Sequence, residues 1–216
     1  MARPLKGEIP EGQRGSNKSF MKILYFHGFA SSGATGTAEM LRKLMPEHQV
    51  ISPDIPVDPT EALPYLRQLC ETEQPDLIIG TSMGAMYAQQ MFGYKKILVN
   101  PAFNMSTMSK VFKTGEHKFL NGRKDNQKTF KITRDIIQKH NQMERQQFKG
   151  ITPFDLENTY GLFGIHDTTV NTYDLFKKHY TKAQKFDGEH HLNEKALRSA
   201  VIPLIKEILG ASGEAN

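Results

Sequence analysis

The sequence predicts an α/β fold: a mostly parallel sheet of about six strands, with helices on both faces and a helical insert. Two observations carry this. Short β-rich apolar runs alternate with stretches whose apolar residues recur at helical spacing. At one of these alternations, Gly80-Thr81-Ser82-Met83-Gly84 sits between a strand-like run and a helix-like one.

KILYFHGFA, from Lys22, is a β-rich run closed by a Gly turn, and TAEMLRKLMP after it has helical periodicity and a terminal proline. QVISPDIP is a second strand, ended by Pro53 and Pro56. A helix over roughly 60–73 leads into DLIIGTS, a third strand, then into the helix MGAMYAQQMFG with Gly93 as its stop. KKILVNPAF is a fourth strand, and NTYGLFGIHD and AQKFDGEHH are two more around the helix TYDLFKKHY. The closing helix, NEKALRSAVIPLIKEILG, carries Pro203, which is expected to kink it.

Residues 1–20 are basic and rich in Gly and Pro, without the apolar core of a secretory signal, so they read as a disordered extension. The folded domain is expected over 21–212. Inside it, residues 103–157 break the strand–helix rhythm. Between Lys110 and Lys149 eleven Lys and Arg face four Asp and Glu, a surplus of seven that exceeds the chain's net +5. Ile132, Ile136, His140 and Met143 share one helical face, so a helical lid or insert is expected there.

No apolar stretch reaches the length of a membrane span, and no nucleic-acid motif accompanies the mild positive charge. A single cysteine, Cys70, rules out an internal disulfide and lies on an amphipathic helix, where a packed thiol is expected. The absence of targeting signals gives a cytoplasmic expectation. The oligomeric state is not legible.

The G-x-S-x-G pattern is weak alone and gains weight from its strand–turn–helix setting. A turn this tight strains the serine backbone and leaves no room for side chains two residues to either side, where Gly80 and Gly84 stand. The alternative is a glycine-framed turn whose serine merely caps the helix. A serine hydroxyl needs a base, and the base needs an acid to hold its tautomer. Asp167 and His190 follow the serine in the order acid then His, each on a turn after a later strand. His191 is the rival base and Asp54 the rival acid, while His48, His117, His140 and His179 lie in helices or helix ends. The paired histidines lack the spacing of a metal site, and neither metal nor cofactor is expected.

YFHGFASS, GTSMGAMYA, ILVNPAF, GIHDTTV and DGEHHLNEK, in this order, resemble the α/β-hydrolase superfamily over about residues 22–210. Within it the chain is most similar to a small bacterial esterase group, the YqiA-like (UPF0227) family. The resemblance implies Ser82 as nucleophile, Asp167 as acid and His190, through Gly188-Glu189-His190, as base. It also implies an oxyanion hole made by the backbone N–H groups of Phe29 and Met83, with His27 organising that loop. The implied activity is hydrolysis of a small carboxylic ester or thioester, without cofactor. The basic insert raises the expectation of an anionic substrate, such as an acyl group on a phosphate-bearing thiol. The same residues also suit a C–C hydrolase, lyase or acyltransferase, or a binding protein that keeps the fold without catalysis. The two strands that usually begin the superfamily's sheet have no counterpart before Lys22.

Overall fold

A computed structural model of the chain describes residues 20–108 and 112–210. The disordered extension expected over 1–20 falls, apart from Phe20, outside the described residues.

The elements in chain order are β1 (Lys22–Phe26), α1 (Gly36–Leu44), β2 (Gln49–Ile51), α2 (Pro59–Glu73), β3 (Leu77–Thr81), α3 (Met83–Gln89) and β4 (Lys96–Val99). The insert supplies β5 (Gly115–Lys118), β6 (Thr129–Ile132), α4 (Arg134–Glu144) and α5 (Pro153–Asn158). β7 (Thr159–Gly164), α6 (Tyr173–Lys177), β8 (Ala183–Phe186), α7 (Glu194–Ala196) and α8 (Ile202–Gly210) complete the fold.

The main sheet has the order β2-β1-β3-β4-β7-β8, and every adjacent pair is parallel. All six strands therefore point their C-terminal ends to one edge, where loops from different strands meet. Alternation along the strands divides the core in two. Leu24, Phe26 and Ile78 join one cluster with α2, α3 and the insert. Ile23, Tyr25, Leu77 and Ile79 join the other with α1, α7 and α8.

Local chemistry explains the element ends. Asp58 caps α2 by accepting the Thr60 N–H, Pro59 opens its first turn, and Gln74 closes it at φ +46. The last helical stretch is not continuous α-helix. Leu197–Val201 forms a π-helical turn just before Pro203, which lacks the N–H needed for the Ser199 carbonyl.

The helix expected over 103–157 corresponds to α4 and α5, and the same stretch also folds an antiparallel hairpin from β5 and β6. The loop joining these strands is bonded to the loop after β1. The Leu120 N–H donates to the Ala30 carbonyl, Asn121 Nδ2 to Ser31 Oγ, and Ser32 Oγ to the Gly122 carbonyl. At the opposite edge of the sheet, the insert is fixed by a fully buried ion pair. Lys96 Nζ lies 2.6 Å from Asp155 Oδ1, whose carboxylate also accepts N–H groups from Gly93 and Thr152.

Candidate active site

Ser82 stands between β3 and α3 with φ +54 and ψ −119, a backbone state that L-residues avoid unless their surroundings force it. The forcing is steric. A Cβ on Gly80 would lie 2.5–2.7 Å from backbone atoms of Gly84 and Ala85, and one on Gly84 would strike the carbonyls of Phe26 and His27. Strand, turn and helix thus touch through their main chains, and the serine hydroxyl projects from the C-terminal edge of the sheet.

The loops after β7 and β8 bring two further side chains to it. His190 Nε2 lies 3.0 Å from Ser82 Oγ, and His190 Nδ1 lies 2.7 Å from Asp167 Oδ2. Asp167 Oδ1 accepts the N–H groups of Thr169 and Val170, so both carboxylate oxygens are occupied and the side chain is only 3% exposed. The three residues singled out from the sequence therefore form one continuous hydrogen-bonded line. With Nδ1–H donated to the carboxylate, the bare Nε2 is the atom that faces the serine.

The rivals are elsewhere. His191 packs edge-on to the His190 ring at 5.4 Å and makes no hydrogen bond to Ser82 or Asp167. Asp54 accepts the N–H groups of Gly33 and Lys124, which spends its carboxylate on tying two loops together. His166 pairs with Asp187 at the surface. His27 is buried beneath the site. Its Nε2 accepts the Ile55 N–H and its Nδ1 bonds the Gly28 carbonyl, and burial lowers its pKa to about 4, so it stays neutral and braces the loop that carries Phe29.

Phe29 lines the same cleft as Ser82, and Met83 opens α3 directly after it. Among the described residues no acceptor takes the N–H of either one. The loop passes close to the serine at Gly28, where a Cβ would lie 3.4 Å from that of Ser82, an ordinary contact, so the approach does not depend on the glycine.

Sequence reading missed Asn100. Buried at the end of β4 with φ +44, its Nδ2 donates to the carbonyls of Glu189 and His190, and its Oδ1 accepts the Gly164 N–H. One side chain thus pins the histidine loop to the end of the strand that carries Asp167. The only trace in the sequence is a polar residue closing an apolar strand ahead of Pro101.

The cleft has a volume of about 570 Å³. Among the described residues, no Lys, Arg, Asp or Glu lines it. The insert's cations that are paired turn elsewhere, Arg123 to Asp125 and Lys139 to Asp58 and Asp135. No cluster of three or more metal-ligating side chains occurs among the described residues, and no described helix is long and apolar enough to cross a membrane.

A parallel sheet with a strained serine turn after its third strand defines the α/β-hydrolase fold, and solved structures share it. Est1E from Butyrivibrio proteoclasticus is 12% identical with a TM-score of 0.65, each chain covered over 90%. A soluble variant of the monoglyceride lipase of Saccharomyces cerevisiae is 13% identical with a TM-score of 0.58, over 91% of this chain and 88% of that one. The thioesterase domain from the curacin biosynthetic pathway is 14% identical with a TM-score of 0.53, over 88% and 91%. Within this fold, residues 22–155 match the Uncharacterised protein family (UPF0227), and the chain belongs to that family.

Proposed function

We propose that the chain is a serine hydrolase that cleaves carboxylic esters or thioesters through an acyl-enzyme. The observation that carries this reading is the unbroken line from Ser82 Oγ through His190 to Asp167, with the serine held in a strained turn. Ser82 Oγ attacks the substrate carbonyl as His190 Nε2 takes its proton. Asp167 keeps Nδ1 protonated and stabilises the imidazolium. The N–H groups of Phe29 and Met83 receive the negative charge that develops on the carbonyl oxygen. His190 then returns the proton to the departing alcohol or thiol. Water repeats the sequence on the acyl-enzyme and frees Ser82.

The similar folds named above include a lipase and a thioesterase, which is consistent with an ester or thioester substrate. The test is turnover of an aryl ester and of its thioester counterpart by the parent and by Ser82→Ala. Substitution should lower kcat by at least about 10³-fold, while circular dichroism shows an unchanged fold. Turnover of the variant within tenfold of the parent would sink the proposal.

A further inference from the structure

The cleft around Ser82 has two unlike walls, one on each side of the sheet. On the α1 side, Tyr25 Oη and Thr81 Oγ1 are hydrogen-bonded at 2.9 Å, and both residues line the cleft. Thr35 and Thr37 join them from the start of α1. Thr35 occupies the N-cap position of that helix without using its hydroxyl as a cap. Leu192, which packs in the same core cluster as Tyr25, extends this wall from the loop that carries His190, with His191 beside it. On the insert side the lining is apolar, formed by Phe29, Met105, Met108 and Leu120. Leu120, 70% exposed, stands at the rim of this wall.

Chemistry assigns the two walls, on the footing of the acyl-enzyme reading above. The leaving oxygen must meet His190 Nε2, which returns its proton, so the alcohol lies beside His190 and its neighbours His191 and Leu192. That is the hydroxyl-bearing wall. The acyl chain extends the other way, onto Phe29, Met105, Met108 and Leu120. Hydroxyl side chains both donate and accept, so they match a ligand whose own groups do the same, and with no Lys or Arg among the described lining residues they offer an anionic leaving group little. The geometry points to a neutral substrate: an apolar carboxylic acid esterified to a polyhydroxylated alcohol, with the polyol on the Tyr25–Thr35–Thr37–Thr81 wall.

The experiment compares two esters that share an acyl chain, 1-octanoylglycerol and propyl octanoate, with p-nitrophenyl octanoate as a reference. A site that hydrogen-bonds a substrate hydroxyl discriminates against the analogue lacking it far more than an apolar pocket discriminates between shapes. In this open cleft, kcat/KM should favour the glyceryl ester by about tenfold or more. The Thr35→Val, Thr37→Val double variant, isosteric at both positions, should pull that ratio towards one. Each single variant should do so in part, should the double variant fold poorly. A parental ratio near one, or a ratio untouched by the valines, would overturn the assignment of the wall while leaving ester hydrolysis standing. Failure to cleave all three esters would instead overturn the acyl-enzyme reading, and this inference with it.

Discussion

Replacing Asn100 by glycine tests how the site is held together. Glycine accepts φ +44 without strain, so the change removes the side chain alone. Three partly buried hydrogen bonds are lost, to the carbonyls of Glu189 and His190 and from the Gly164 N–H. At about 1 kcal/mol each, these amount to roughly 3 kcal/mol of stability. For a domain of this size that is a fall in Tm of about 6–12 °C. The histidine loop also loses its tether, and a displacement of about 1 Å at a reacting group costs on the order of 10²-fold in rate. Thermal unfolding and steady-state hydrolysis of an aryl ester, measured on the same preparations, read both effects. The fall should appear mainly in kcat, because Asn100 does not line the cleft. A variant with parental kcat and a Tm within about 2 °C would refute the reasoning.

Other outcomes follow from the same geometry. His190→Ala should abolish ester hydrolysis while His191→Ala only weakens it, and the reverse result would transfer the base role to His191. Asp167→Asn should cost several orders of magnitude in kcat, because the imidazole is then held in the wrong tautomer, whereas Asp54→Asn should affect stability more than rate. Burial lowers the pKa of both His27 and His140 to about 4, below the ordinary value near 6.5. Between these values the unfolded chain binds protons that the folded one refuses, so stability is complete above about pH 6.5 and declines as pH falls towards 4. Urea midpoints at pH 7 and pH 5 should show the decline, and His140→Leu should reduce it; a midpoint independent of pH would contradict the assignment. Asp155→Ala, which strands the buried Lys96 ammonium, should cost about 3–5 kcal/mol in urea unfolding. The Lys96→Met, Asp155→Asn double variant should lose less, and equal losses would mean that the ion pair is not the source.

The sheet and the serine turn were legible because each is a local pattern with a local cause. Gly80 and Gly84 state in sequence the same lack of space that the structure shows between Ala85, Phe26 and His27. Alternating apolar runs gave six strands, and the parallel order followed from the helices between them. The residues alone left His191 as a rival to His190, since adjacent loop residues differ only in where the backbone aims them; the family resemblance, through Gly188-Glu189-His190, favoured His190. Asn100 escaped notice because its partners lie 64 to 90 residues away. Lys96 passed for an ordinary strand residue for the same reason, its partner Asp155 being 59 residues on. The hairpin in the insert pairs the polar GEHK with the four-residue TFKI, too short and too polar for a clear period of two. The composition of the insert did show its positive charge, but composition cannot say which way side chains turn, and among the described residues no Lys or Arg lines the cleft.

The central claim is that Ser82 is a nucleophile activated by His190 and Asp167. A fluorophosphonate reacts covalently with such a serine, because the base must take its proton for the oxygen to attack phosphorus. Intact-mass and peptide mass spectrometry after labelling of the native chain should find a single adduct on Ser82. The adduct should be absent from Ser82→Ala and formed at least about 10²-fold more slowly in His190→Ala. An unlabelled native chain, or an adduct on a residue other than Ser82, would contradict the account.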